Sequence, residues 1–165
     1  MDLALLLLLQ VRLVLIFLTI GITLFCFSNK GLFETCMIKA GAKKSGNDLS
    51  EQYLVDCAYG KYGANGCNGA NPYAYAKWLP EQGGQMPHET SYPYLGSSPK
   101  LNCNSAPTTM WNSGAKVTKG TVDWTCGASK LKSLIHSNGA VAVGVYASDN
   151  SFGTYKSGIY NGCTR

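Results

Sequence analysis

The hydrophobic positions of the chain divide it into an apolar first segment and a patterned remainder. From Leu3 to Phe27 the residues are apolar except for Gln10, Arg12 and a few small polar residues. A helix over this segment would rise about 1.5 Å per residue and extend about 37 Å, which is enough to cross a bilayer. The pattern therefore predicts an apolar N-terminal helix.

Two interpretations of this segment stay open. A signal peptide typically begins with basic residues and ends at a small-x-small cleavage motif, and residues 1–28 show neither feature clearly. For a membrane anchor, the lysines that follow at positions 30, 39, 43 and 44 would keep the rest of the chain in the cytosol. We expect residues 1–24 to be separate from the domain behind them, with 3–27 as the part that would contact a membrane.

After the apolar segment, the pattern predicts helices first and strands later. Each predicted helix is bounded by residue types that start or end helices, such as the N-cap Ser50 and the Asn138–Gly139 pair. The predicted helices lie at 28–40, 50–57, 72–80 and 130–136, and the predicted strands at 117–124 and 140–147. Helices followed by strands indicate an α+β fold.

Composition narrows the possible functions. The chain has 165 residues, of which 45% are hydrophobic and 14% charged, with a net charge of +5. Its lysines are scattered, and no basic stripe or arginine-rich run is present. Nucleic-acid binding normally needs such a concentration of positive charge, so we do not expect a nucleic-acid partner.

Seven cysteines in a chain of this size predict an oxidising compartment. No two of them have C-x-x-C spacing, and the two histidines, His88 and His136, are far apart in sequence. A zinc site is therefore not expected, and no other metal or cofactor is predicted. An odd number of cysteines leaves at least one without a partner within the chain.

Several ordered motifs carry a family resemblance. The stretches LSEQYLVDC (49–57), GCNGANPYAYA (66–76) and SYPY (91–94) resemble the left-hand domain of papain-like cysteine peptidases of the cathepsin L type. The stretches AVAVGVYA (140–147) and SFGTYKSGIYNGC (151–163) resemble parts of the right-hand domain. The resemblance covers residues 25–165.

The resemblance implies a papain-like two-domain fold, with a helical left domain at 25–106 and a truncated β-barrel right domain at 107–165. Such peptidases hold an extended peptide or protein substrate in the cleft between the domains. They cleave it with a cysteine thiolate paired with a histidine that an asparagine orients. The implied location is lysosomal or secreted.

The catalytic set departs from the family pattern. Phe27 and Ser28 match the two residues that follow the nucleophile motif, and counting back places the nucleophile at Leu24 and the oxyanion glutamine near Leu18. The catalytic histidine would fall beyond Arg165. His88 and His136 are predicted to be surface or packing residues. We therefore expect a fragment, incomplete at both ends and inactive as written.

The alternative hypothesis is a catalytically dead, membrane-tethered module with a papain-like fold that binds peptides.

The resemblance also implies which residues contact substrate. Gly69 and Ala70 would present their backbone to an extended peptide, and the Ala70 methyl group would crowd that approach. Pro72 would form the floor of the pocket for the second residue of the substrate, and Gly144 a wall of that pocket.

The family pattern further implies a disulfide between Cys57 and Cys103. The usual partner of Cys67 falls at Gly21, which leaves Cys67 without it. The partner of Cys163 would lie beyond the last residue.

Overall fold

The computed structural model describes most of the chain. The described residues are 9–16, 24–41, 46–70, 72–96, 103–111, 115–123, 127–143, 154 and 156–159. Their helices and strands are β1 (Leu9–Ile16), α1 (Leu24–Lys39), α2 (Glu51–Cys57), α3 (Pro72–Glu81), β2 (Ala115–Asp123), α4 (Ala128–Asn138) and β3 (Ala142–Val143). Two 3-10 turns lie at Gly66–Asn68 and Cys103–Ser105.

The predicted helices are observed, and their boundary residues act as expected. Ser50 caps α2, since its hydroxyl oxygen accepts a hydrogen bond from the Tyr53 amide at 3.0 Å. Gly139 ends α4 with φ 88°, a left-handed conformation that glycine adopts without steric cost. The first helix begins at Leu24, four residues before the predicted start.

The core lies where α1, α2 and α3 meet. Phe33 and Met37 are one turn apart on α1, and both are at most 2% exposed. Leu54 of α2 and Ala74 of α3 are buried in the same cluster. Side chains four residues apart lie on one face of a helix, so these residues form the apolar faces that the three helices bury against one another.

The predicted N-terminal apolar helix is not confirmed. Leu9–Ile16 form a β-strand, and residues 1–8 and 17–23 lie outside the described residues. This strand lies between β2 and β3 and is parallel to both, with Leu9 opposite Ala115 and Ile16 opposite Asp123. A central strand of a parallel sheet is buried on both faces, so its sequence is a continuous run of apolar residues. A buried helix can have the same kind of run, and hydrophobic periodicity does not separate the two. Within the described residues, no helix is both long and apolar enough to cross a membrane.

The truncated barrel is also not observed as such. The described strands form one open sheet in the order β2-β1-β3, not a closed barrel. The predicted strand at 117–124 is confirmed by β2. Of the strand predicted at 140–147, residues 140–143 are described, and β3 spans the last two of them. Residues 144–147 lie outside the described residues, as does Gly144 with them.

The sheet packs closely against the end of α3. The Val117 amide donates to the Gly84 carbonyl at 2.8 Å. At Gly84 an added Cβ would fall on the backbone of Val117, and at Gly120 it would fall on Ala76 of α3. These glycines are needed because backbone meets backbone with no room for a side chain.

Candidate functional site

The position assigned to the nucleophile is the first residue of α1. The helix begins at Leu24, so this position has the partial positive charge of a helix N-terminus. A cysteine in such a position ionises readily, because the helix dipole stabilises the thiolate. Leucine has no ionisable group, so the position predicted for the nucleophile carries no thiol. Leu18 lies outside the described residues.

The predicted peptide-contacting residues Gly69 and Ala70 directly follow the 3-10 turn Gly66–Asn68. Gly69 has φ 108° and ψ 177°, a conformation that is essentially restricted to glycine. Its amide donates to the Gly66 carbonyl at 3.3 Å, and its carbonyl accepts from Asn65 at 2.7 Å. The Gly69 amide therefore already donates a hydrogen bond within the loop. The groups that remain available to a peptide are the second lone pair of the Gly69 carbonyl and the backbone of Ala70, which is half-exposed.

The two other predicted contacts are placed only in part. Pro72 is the first residue of α3, two residues after Ala70. Gly144 lies outside the described residues. The structure thus brings Gly69, Ala70 and the start of α3 together, and the pocket that Pro72 and Gly144 would form stays a prediction.

The motifs that carry the resemblance are joined by a buried hydrogen-bond network. The Asp56 carboxylate accepts from the Gln52 amide at 2.9 Å and from the Tyr92 hydroxyl at 2.7 Å. The Ser50 hydroxyl donates to the Tyr92 carbonyl at 2.5 Å, and the Leu95 amide donates to Gln52 Oε1 at 3.0 Å. The first and third motifs therefore have a structural role, since they attach the 91–95 segment to α2.

Sequence reasoning missed a cluster of charges between α1 and α2. Lys30 Nζ lies 2.7 Å from Glu51, 2.6 Å from Asp48 and 3.5 Å from Glu34. Burial lowers the pKa of Lys30, but hydrogen bonds to Asp48 and Glu51 outweigh it and raise that pKa above its ordinary value. Lys30 and Glu34 have the i, i+4 spacing of a helical ion pair, which was the one signal available in the sequence.

A fourth carboxylate borders this cluster. Glu89 Oε1 accepts from the Tyr94 amide at 2.6 Å, while Oε2 is buried with no hydrogen-bond partner among the described residues. Burial raises the pKa of Glu89, and the nearby Glu51 and Asp48 carboxylates raise it further, against the effect of the Tyr94 hydrogen bond. Glu89, beside the Lys30 charge cluster, therefore holds its proton more readily than an ordinary glutamate.

Both histidines have roles that fit the predicted packing and surface positions. His88 Nε2 lies 3.0 Å from the Gly46 carbonyl, to which it must donate, so Nδ1 accepts from the Thr90 amide at 3.2 Å. The His88 ring also packs against Trp111, with ring centroids 4.7 Å apart. His136 is exposed in the last turn of α4.

The cysteines whose side chains the structure describes form one disulfide and leave two free thiols. The Cys57–Cys103 disulfide is formed, which confirms the predicted pair. Cys36 and Cys67 are free, and Cys67 is half-exposed. Burial raises the pKa of the Cys36 thiol, which points to the Asn138 carbonyl at 4.0 Å. In the part of the chain that the structure describes, no three His, Cys, Asp or Glu side chains are grouped to hold a metal.

Comparison with known proteins gives consistent matches. A family model described as papain family cysteine protease matches residues 24–165, so the match begins at the first residue of α1. Cathepsin L of Sarcophaga peregrina is 39% identical over 137 residues, which are 82% of this chain and 37% of that protein. Cathepsin S of Bos taurus is 33% identical over 136 residues, or 81% of this chain and 38% of that protein. A cathepsin L-like peptidase of Aedes aegypti is 40% identical over 114 residues, or 68% and 31%. The chain thus spans less than two fifths of the length of these relatives.

Proposed function

This chain belongs to the papain family of cysteine proteases, and we propose from this that it supplies the peptide-binding part of a cysteine-type endopeptidase. We further propose that the 165-residue chain binds extended peptides or protein segments without cleaving them. The family match and the placement of Gly69 and Ala70 beside the start of α3 support the binding role.

The observation that carries the absence of cleavage is Leu24 at the start of α1. Nucleophilic catalysis needs an atom with a lone pair, activated by a base within hydrogen-bond reach. The side chain of leucine has no such atom. Of the two histidines, His88 uses both ring nitrogens to hold its loop, and His136 lies exposed at the far end of α4. Neither residue is in the role that a thiolate–imidazolium pair would require.

The proposed binding mode is backbone pairing with an extended peptide. The Gly69 carbonyl and the Ala70 backbone would pair with the peptide, while Pro72 and Gly144 would border the pocket for its second residue. The hydrogen bonds of Gly69 with Gly66 and Asn65 support this proposal, since they restrain the strip Gly69–Ala70 and lower the entropy lost on binding.

The proposed domain division is 25–106 for the helical left domain and 107–165 for the partial right domain. The proposed location is lysosomal or secreted. The Cys57–Cys103 disulfide supports this location, because such bonds persist mainly in oxidising compartments.

The test uses the purified chain and two kinds of assay. We expect no hydrolysis of fluorogenic peptide substrates and no labelling of residue 24 by thiol-reactive probes. We expect a fluorescent extended peptide to bind in an anisotropy titration, and the same peptide N-methylated on its backbone to bind at least about tenfold more weakly, because pairing needs its N–H groups. Hydrolysis that thiol reagents abolish would overturn the first part. Equal binding of the methylated peptide would overturn the second.

The alternative is a membrane-tethered binding module, motivated by the apolar residues 3–27. Flotation of the purified chain with liposomes separates the two hypotheses. A tethered module would float with the vesicles. The proposed module would stay at the bottom of the gradient, since the backbone groups of Leu9–Ile16 pair within the sheet.

A further inference from the structure

The loop between α2 and α3, residues 58–70, carries the strip Gly69–Ala70. Its residues Ala58 and Ala64 are buried in the core, whereas residues 59–63 are exposed. Its one covalent tie is the Cys57–Cys103 disulfide, just before the loop begins. Cys67, which lies next to the strip, is a free and half-exposed thiol. The exposed part of the loop, residues 59–63, needs contacts of its own to keep one position.

A cluster on the outer side of α3 provides such a contact. The Tyr62 hydroxyl donates to the Glu81 carboxylate, with both oxygens at 2.8 Å. Lys77 Nζ lies 4.4 Å from the centroid of the Tyr62 ring, and the Tyr73 ring meets Tyr62 edge-on with centroids 6.4 Å apart. Tyr73, Lys77 and Glu81 are four residues apart, so they form one stripe along α3. We call these four residues the Tyr62 cluster.

The backbone of Tyr62 indicates that its side chain determines the shape of the loop. Tyr62 has φ 49°, the only positive value among described residues other than glycine. This left-handed conformation is unfavourable for tyrosine and persists only where surrounding contacts impose it. The hydroxyl, the ring face and the ring edge of Tyr62 all contact α3, and these contacts offset the backbone strain.

Hydrogen bonds continue from Tyr62 to the strip. The Gly60 amide donates to Ala64, and Ala64 donates to Lys61, so the turn around Tyr62 is closed on itself. The next residue, Asn65, donates to the Gly69 carbonyl at 2.7 Å. A displacement of the turn at Tyr62 would therefore move Gly69.

We propose that Tyr62 is a positioning residue: through Glu81, Lys77 and Tyr73 it holds the 58–70 loop on α3, so that the Gly69–Ala70 strip is presented to an extended peptide. This inference rests on the proposed peptide-binding function. Tyr62 itself need not touch the peptide.

The experiment measures loop opening and peptide affinity in the same variants. Tyr62→Asn removes the ring but keeps a residue that tolerates the left-handed region. Tyr62→Phe removes only the hydroxyl. Tyr59→Phe is the matched control, because Tyr59 is an exposed tyrosine in the same loop outside the Tyr62 cluster. Alkylation of Cys67, followed by mass spectrometry of the peptide that contains it, reports loop opening, and anisotropy reports peptide affinity.

We expect Tyr62→Asn to speed Cys67 alkylation about fivefold and to weaken peptide binding about threefold or more, since local opening becomes easier without global unfolding. Tyr62→Phe should have smaller effects of the same sign, and its effects should not add to those of Glu81→Met, since each change removes one partner of the same hydrogen bond. Tyr59→Phe should match the wild type. Thermal midpoints should stay close to the wild type, because the Tyr62 cluster is outside the core.

Three results would contradict the inference, and they separate it from the proposed function. If the wild-type chain binds no peptide, the proposed function fails and this role fails with it. If the wild type binds but Tyr62→Asn leaves the affinity unchanged, the positioning role alone is wrong. If Tyr62→Phe and Glu81→Met have fully additive effects, the hydrogen bond between the two residues is not what holds the loop.

Discussion

Lys30 Nζ lies 2.7 Å from Glu51 Oε1, and this ion pair joins the second turn of α1 to the first turn of α2. Only 14% of the Lys30 side chain and 7% of the Glu51 side chain are exposed. Asp48 and Glu34 share the same ammonium group. One cation thus faces three carboxylates at the junction of two core helices.

Replacement of this cation should destabilise the fold. Lys30→Met should lower the free energy of unfolding at pH 7 by about 3 kcal/mol, because removal of this partner leaves the buried Glu51 carboxylate without compensation. Urea denaturation measures the loss. Lys132→Met, at an exposed lysine of α4, is the control and should cost less than about 0.5 kcal/mol. Equal stability of Lys30→Met and the wild type would show that the ion pair makes no net contribution.

The raised pKa of Glu89 predicts a pH dependence with a definite sign. The folded chain holds the Glu89 proton more tightly than the unfolded chain, whose pKa is near 4.5. The stabilising contribution of Glu89 is therefore fully present below about pH 4.5 and is lost as the pH rises through the raised folded pKa. Glu34, whose pKa is raised mainly by burial, contributes with the same sign.

Glu89→Gln tests this prediction, because glutamine keeps an oxygen for the Tyr94 amide but does not ionise. The variant should gain stability relative to the wild type at pH 7 and lose that advantage at pH 4.5. Denaturation curves at the two pH values measure the difference. A gain that is the same at both pH values would mean that ionisation of Glu89 is not its source.

Two adjacent glycines offer a test of the close contact between α3 and the sheet. Gly83 and Gly84 both have positive φ, at 86° and 72°, but only Gly84 has Val117 backbone where a Cβ would lie. Gly83→Ala should cost about 1 kcal/mol from backbone strain alone. Gly84→Ala should cost about 2 kcal/mol more, because the sheet must move away from α3. Similar losses in the two variants, measured by denaturation, would argue against the observed packing.

Restoration of a thiol at the start of α1 separates ionisation from catalysis. Leu24→Cys should titrate below the ordinary cysteine pKa of about 8.5, because the helix N-terminus favours the thiolate. The pH dependence of its alkylation, followed by mass spectrometry, measures this pKa. The variant should still not hydrolyse peptides, since neither His88 nor His136 is in the role of the base. Hydrolysis by Leu24→Cys would show that a histidine reaches residue 24.

The elements that the sequence predicted well are those with local signals. Ser50 and Gly139 mark helix ends through interactions with their own neighbours, so the helices they bound were predictable. The Cys57–Cys103 disulfide followed from the family pattern, not from the spacing of cysteines. The apolar run at 9–16 was assigned to a helix, because an all-apolar segment satisfies both a buried helix and a central strand.

The parts that could not be predicted depend on residues distant in sequence. Glu89 joins Lys30 in one charge cluster only after α1, α2 and the following loop have packed. In the sequence Tyr62 resembles any other loop tyrosine. Its contact with Glu81 depends on α3, which ends at that residue. Composition and periodicity contain no information on such pairs.

The position of β1 has a consequence for how the chain folds during synthesis. Leu9 pairs with Ala115 and Ile16 pairs with Val143. After β1, more than a hundred further residues must therefore be synthesised before both partner strands are complete. At about 5–20 residues per second, the ribosome needs roughly 5 to 25 seconds to make them. During that interval an apolar segment has no sheet to join, which makes it a natural substrate for chaperones that bind nascent chains. The strand that begins the described structure is therefore among the last to reach its place.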